Sequence, residues 1–365
     1  MSYPVLCIWI ISPILAYVLL YAVQMPLRKK SKWYVSVISL VLKLVLVTAL
    51  AFLGISTPVP FPRFINRLFG VLYIALFADA GHDLILVGFS VFKQKYKPNV
   101  SFICGLFLTT AYLLYAIFSM MSVVPNYHEY TTDKTKQDYK IVFVSDIHYG
   151  SAQTKDVVLH MLSEIKREEP DLILLGGDIT DEYTTYEQMN YIFEQIGSLD
   201  IPVYYTYGNH DLQTMASYTG GSSYSPEQLE EAVESNGITI LCDEFDVFND
   251  DLVIIGRADY SFDTRLPVEQ LPEMPADKYV ICVDHSPYQY DDIPKTGADL
   301  QLSGHVHAGQ LFPLQLLYNL GVKNICGEYR WGDTDLYVSA GASGWCMPYR
   351  TEDRSCFEVV RIVHG

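Results

Sequence analysis

The sequence predicts an α/β fold in which two β-sheets pack face to face and are flanked by helices, preceded by a bundle of four transmembrane helices. Three observations predict it. Four apolar stretches crowd the first 125 residues. Short apolar strands then alternate with helical segments. The later strands follow one another with few helices between them, which suits a second sheet packed on the first.

The apolar stretches run over about 4–23, 33–55, 68–91 and 102–124. Each holds roughly 20 residues, enough to cross a hydrocarbon core of about 30 Å. A cleavable signal peptide explains only the first, and no small-residue cleavage site follows it. Residues 1–125 therefore read as a transmembrane domain. Residues 126–138 are polar, lack periodicity and read as a linker. Residues 139–365 form the second domain.

The two parts carry opposite charge. Up to Asn126 there are two acids, Asp79 and Asp83, against ten Lys or Arg; 40 acids and 15 bases lie beyond it. An acidic domain without a basic stripe is a poor partner for nucleic acid, whose phosphates require Lys and Arg. Arg28, Lys29, Lys30 and Lys32 fill the first loop, and Lys93, Lys95 and Lys97 fill the third. The second loop has only Arg63 and Arg67. The positive-inside rule puts the first and third loops in the cytoplasm and the acidic domain on the extracytoplasmic face. Five cysteines lie in that domain, Cys242, Cys282, Cys326, Cys346 and Cys356, so at least one is unpaired even if disulfides form. No CxxC supports a zinc ribbon.

The third span contains Asp79, His82 and Asp83 on one helical face, and the second contains Lys43. Lys43 and Asp79 both fall near mid-depth. Isolated charges there cost about 2.5–3.5 kcal/mol on insertion scales, so a Lys43–Asp79 pair is expected. An ion, proton or headgroup site is the alternative.

In the second domain the strands expected are 140–145, 172–175, 203–206, 237–241, 252–256, 279–283, 300–303, 336–339 and 357–363. Helices are expected at 156–167, 186–196 and 226–235. Polar groups gather where strands end. The first ends in Ser145-Asp146-Ile147-His148. The second ends in Gly176-Gly177-Asp178-Ile179-Thr180-Asp181, the third in Gly208-Asn209-His210-Asp211. Later ends carry Asp284-His285 and Gly304-His305-Val306-His307. Sites in α/β sheets collect at the carboxyl ends of strands. Imidazole suits transition metals and carboxylate suits hard divalent ions. Two cations about 3.5–4 Å apart can clamp a phosphoryl group. Any one of these pieces is weak; five in this order are hard to explain otherwise.

The set DxH, GDxxD, GNHD, lone His and GHxH resembles the calcineurin-like metallophosphoesterase superfamily. The resemblance runs from about Asp138 to the C-terminus. Gly304–Gln310 (GHVHAGQ) and Leu336–Gly344 (LYVSAGASG) look like a bacterial-type branch with a GHTHGGQ motif, some of whose members carry N-terminal membrane helices. The resemblance implies a four-layer metallophosphoesterase sandwich with metals at one edge. It implies that Asp146, His148, Asp178 and His307 hold one metal, and that Asp178, Asn209, His285 and His305 hold the other. Asp178 would bridge them, and a metal-bridging hydroxide would be the nucleophile. His210 matches the general acid and Asp181 the carboxylate that orients it.

Departures carry meaning. Protein phosphatases of the superfamily have Arg after GDxxD; here it is Glu182, which disfavours a phosphoprotein substrate. Ala308 replaces a Gly. Arg350, after the Gly-rich strand end, is a candidate phosphate contact, and a surface arginine is the equal alternative. The leading expectation is a phosphohydrolase outside the membrane, acting on a phosphate-containing small molecule or lipid headgroup. Its cofactors would be two divalent ions, Mn, Fe, Zn or Co, which this donor set does not distinguish. The alternative is a membrane sensor or transport module with a metal-binding regulatory head.

Overall fold

The structure is a computed structural model that describes residues 3–28, 33–56, 63–91, 98–218, 220–321 and 325–365. The chain divides into two compact units. The first comprises Met1–Ser119, Leu311–Leu316 and Cys346–Glu352. The second comprises Met120–Gln310, Leu317–Trp345 and Asp353–Gly365. Lys29, Lys30, Lys32, Lys93, Lys95 and Lys97, whose charge sets the expected orientation, lie outside the described residues.

Long unbroken apolar runs satisfy their backbone polar groups internally, so the first unit is helical. Its helices are α1 (Tyr3–Arg28), α2 (Trp33–Ser56), α3 (Arg63–Val91) and α4 (Pro98–Met121). Among the described residues three, rather than the expected four, are long and apolar enough to cross a membrane: Tyr34–Ala51, Arg67–Gly88 and Asn99–Met121. The described apolar part of α1, Ile11–Met25, is shorter. Large apolar side chains face outward, among them Leu19, Leu42, Ile103 and Phe107. A water-soluble unit would bury them, whereas lipid welcomes them.

The expected Lys43–Asp79 pair is present and larger than expected. Lys43 Nζ lies 2.5 Å from Oδ2 of both Asp79 and Asp83 and donates to Gln24 Oε1 at 2.9 Å. Asp83 joins because a four-residue step returns it to the same face of α3. On that face His82 Nε2 also bonds Ser101 Oγ.

The second unit is built from two six-stranded sheets and the helices α5 (Lys155–Arg167), α6 (Tyr186–Gly197) and α7 (Pro226–Glu234). Its first strands are β1 (Val124–Thr132), β2 (Tyr139–Val144), β3 (Leu172–Leu175), β4 (Val203–Tyr205), β5 (Ile238–Ile240) and β6 (Glu244–Val247). The others are β7 (Leu252–Gly256), β8 (Tyr279–Val283), β9 (Leu300–Ser303), β10 (Gly327–Trp331), β11 (Thr334–Val338) and β12 (Cys356–His364). The sheet orders are β1-β12-β2-β3-β4-β5 and β10-β11-β9-β8-β7-β6.

Side chains alternate across each strand. Ile141, Phe143, Leu172 and Leu174 of the first sheet share one buried cluster with Ile254, Ile281, Leu300 and Leu302 of the second. That cluster is the face-to-face core. Val142 and Val144 point the other way, onto Val158, Met161, Ile192, Phe193 and Leu229 of α5, α6 and α7. Helix, sheet and sheet thus match the expectation. The fourth layer differs: Val253, Ile255, Val280 and Cys282, on the outer face of the second sheet, pack with Leu271 and Met274. Those two come from a connection containing Pro267, Pro272 and Pro275, which cannot hold a regular helix.

The expected linker 126–138 also needs correction. Its first residues belong to β1, which pairs in parallel with β12 at the edge of the first sheet. An edge strand has one partner and a solvated face, so it carries no apolar run to announce it.

Candidate metal centre

Within each sheet the parallel strands send their carboxyl ends the same way. β2, β3 and β4 are mutually parallel, and so are β7, β8 and β9. The loops after β2, β3, β4, β8 and β9 carry the motif residues, and they converge. Asp146, His148 and His307 have ligand atoms within 4.8 Å of one another. So do Asp178, His285 and His305. Asn209 joins the second group: its Oδ1 lies 2.9 Å from His305 Nδ1 and 3.2 Å from His285 Nε2. Asp178 lies between the groups, with Oδ2 3.1 Å from His285 Nε2 and 3.7 Å from His148 Nε2.

The backbone is bent to allow this. Asp146, His148, Asp178, His305 and His307 all have positive φ, from 46° to 73°. Such conformations cost energy in non-glycine residues and collect at functional sites. Two glycines make room. Gly177 has φ 87°, and a Cβ there would stand 2.5 Å from the Gly208 nitrogen. A Cβ on Gly208 would run into the Asp178 carboxylate.

The donor set fits cations. His285 Nδ1 donates to Gly176 O at 2.7 Å, and His307 Nδ1 donates to Ser343 O at 2.9 Å. A carbonyl accepts only, so in each neutral ring Nε2 keeps its lone pair. For His285 that lone pair faces two other oxygens, Asp178 Oδ2 and Asn209 Oδ1. Three lone pairs turned toward one another are stable only with positive charge between them. His148 is buried; Asp181 Oδ2 lies 3.3 Å from its Nδ1, while its Nε2 makes no hydrogen bond. An unpaired buried nitrogen costs about 1–3 kcal/mol unless a cation takes it.

Charge states agree for Asp178 and His305; at His285 burial is outweighed by the Asp178 charge, which holds the ring well above the usual imidazole range, so a metal must displace a proton there. Burial pushes the Asp178 carboxyl up, but the neighbouring His285 and His210 outweigh it and hold it well below the usual carboxylate range. Burial and the His285 charge push His305 down to about 4, which keeps its imidazole neutral. Ionised carboxylates and neutral imidazoles are the forms that bind metal.

The family model described as calcineurin-like phosphoesterase matches residues 139–309. An uncharacterized metallophosphoesterase of Aquifex aeolicus is 30% identical over 230 residues, 58% of this chain and 80% of its own length. The chain belongs to the calcineurin-like phosphoesterase family. An uncharacterized metallophosphoesterase of Helicobacter pylori strain J99 is 31% identical over 226 residues, 60% of this chain and 58% of its own. The chain thus spans less than two thirds of that relative. A transmembrane protein with a metallophosphoesterase domain from Danio rerio is 27% identical over 238 residues, 61% of this chain and 52% of its own. Membership makes residues 139–309 a calcineurin-like phosphoesterase domain, and the three long apolar helices indicate association with a membrane.

Within this calcineurin-like site two expectations change. His210 is oriented by Glu182 rather than Asp181. Its Nδ1 donates to both Glu182 oxygens, at 2.8 and 2.9 Å. Asp181 turns instead to His148 Nδ1, 3.3 Å away, and accepts from Ser151 Oγ. Asp181 opens a turn that Thr184 N–H closes on Asp181 O at 2.9 Å, with Glu182 as its second residue, and the two carboxylates leave the turn toward different rings. For Arg350 the surface alternative falls. It is wholly buried in the helical unit, where its backbone N–H donates to Ala116 O at 3.1 Å.

Two residues escaped sequence reasoning. Asp211 is buried and accepts from Asp178 N at 2.7 Å, Gly208 N at 2.7 Å, Thr180 N at 2.9 Å and Thr180 Oγ1 at 3.1 Å. It ties the loop after β3 to the loop after β4. Its place in GNHD was the available signal. Trp345 stacks on His210, with ring centroids 5.1 Å apart and planes 24° apart. Nothing in its sequence position marked it.

Proposed function

We propose that the chain is a membrane-associated, binuclear metal-dependent phosphohydrolase that cleaves a phosphate ester or pyrophosphate on the extracytoplasmic side. The observation that carries the reading is the pair of donor groups with the Asp178 carboxylate between them. Asp146, His148, Asp178 and His307 would hold one divalent ion, and Asp178, Asn209, His285 and His305 the other. Bound there, the two ions would supply positive charge for the phosphate oxygens and lower the pKa of water toward neutrality.

The chain's own residues do the rest. Gly176 O and Ser343 O fix the tautomers of His285 and His307. Asp178 Oδ1 accepts from the His210 backbone N–H at 2.9 Å, which sets that histidine beside the carboxylate that would hold both ions. Glu182 takes the Nδ1 proton, so a second proton on His210 sits on Nε2 and can pass to the leaving oxygen. Burial lowers the His210 pKa, but the Asp178 and Glu182 charges outweigh it and push it up to about 9. Cations held by Asp178 would offset its share of that rise, leaving Glu182 as the charge that favours the protonated acid.

The loop lysines support the extracytoplasmic assignment. A small phosphate-containing molecule or a lipid headgroup suits a membrane enzyme of this charge. The test uses the full chain in detergent with Mn²⁺ and a panel of phosphomonoesters, phosphodiesters and pyrophosphates. Turnover is expected for at least one class. Asp178→Asn and His210→Ala should each lose about 10²-fold or more in kcat. Metal binding without turnover of any class would refute the reading. Labelling of single-cysteine variants in sealed cells decides the side.

A further inference from the structure

The second group of metal-type residues continues outward as an aromatic ladder. Tyr288 meets His305 edge to face, with centroids 5.4 Å apart and planes at 84°. Tyr260 meets Tyr288 the same way, at 5.7 Å and 74°. Tyr288 is half-buried, whereas Tyr260 is 54% exposed. An exposed ring next to a polar site offers a ligand an apolar face with a polar tip.

The ladder is built rather than incidental. Tyr260 lies in the loop after β7 and Tyr288 in the loop after β8. Buried polar groups lock these loops together. Asp259 Oδ1 accepts from Ser261 N at 2.8 Å and Ser261 Oγ at 2.6 Å, while its Oδ2 accepts from Ser286 Oγ at 2.6 Å. Arg265 clamps Asp284 through two bonds, at 2.9 and 2.7 Å, and donates to Gln289 Oε1 at 3.0 Å. Asp259 and Arg265 thus straddle both loops. Rings held in advance lose little entropy when a ligand stacks on them.

From this geometry we infer that the site selects phosphoesters bearing a planar aromatic ring, which stacks on Tyr260 and Tyr288 while the phosphate sits among the His and Asp groups. The inference rests on the phosphohydrolase reading and names its substrate class. Offset and edge-to-face ring pairs supply the attraction, and each is sequence-local to a loop that also carries or abuts a metal-type residue.

The experiment compares bis(p-nitrophenyl) phosphate with methyl p-nitrophenyl phosphate on the full chain in detergent with Mn²⁺. The leaving group is the same in both; only the retained group differs. A preference in kcat/KM for the diaryl ester of about tenfold beyond that of aqueous hydroxide is expected. Tyr260→Ala should erase the preference, and Tyr260→Phe should keep it. A preference unaltered in Tyr260→Ala overturns the inference. If neither ester turns over, the phosphohydrolase reading is what has failed for diesters, and calorimetry decides the platform. Phenyl phosphate should then bind about tenfold more tightly than methyl phosphate, and only with Tyr260 or Phe present. Equal affinities overturn it.

Discussion

Glu182 holds His210. Both carboxylate oxygens lie within 2.9 Å of Nδ1, and Trp345 covers the ring at 5.1 Å. The proton that can reach a substrate is therefore tuned by the residue after the GDxxD motif. Glu182→Gln removes a charge that favours the imidazolium, so the His210 pKa falls from about 9. The acid form is then lost at lower pH. The alkaline limb of the kcat/KM profile should shift toward acid, and an unmoved limb would contradict the assignment.

Asp181 acts on a different ring. It stands 3.3 Å from His148 Nδ1. Asp181→Asn should weaken metal binding about 10–100-fold, as removal of a supporting carboxylate does elsewhere. The alkaline limb should stay in place once metal is saturating. Titration of the apo-protein with Mn²⁺, followed by a pH profile, separates the two carboxylates.

Asp211 contributes to stability. Asp211→Ala strands four buried donors, from Asp178, Gly208 and Thr180. The cost should be about 3–5 kcal/mol. Thermal unfolding of the full chain in detergent should show a lowered midpoint with or without metal. A midpoint within error of wild type would show that water replaces the carboxylate.

The membrane cluster makes a separate prediction. Lys43→Met leaves Asp79 and Asp83 without the ammonium that lies 2.5 Å from each. Breaking a buried pair in this way costs about 3–5 kcal/mol. The triple variant Lys43→Met, Asp79→Asn, Asp83→Asn should recover much of that loss. Failure of the triple variant to exceed the single one, measured as monodisperse protein in detergent, would rule out a mainly structural role.

The sequence alone determined the elements whose cause is local. Apolar runs long enough to span lipid mark α2, α3 and α4, and strands such as Leu252–Gly256 and Leu300–Ser303 stand out because both their faces are buried. It also determined the candidate donors, because each follows a strand and the residue types suit one chemistry. Only the tertiary structure decided what depends on partners distant in the chain. β1 is a strand because β12 pairs with it, the outer face of the second sheet is covered by a loop, and Asp83 shares Lys43. The same holds for the exchange of roles between Asp181 and Glu182. Neighbouring carboxylates have the same chemistry, and only the direction each side chain takes in the folded loop selects the histidine it meets.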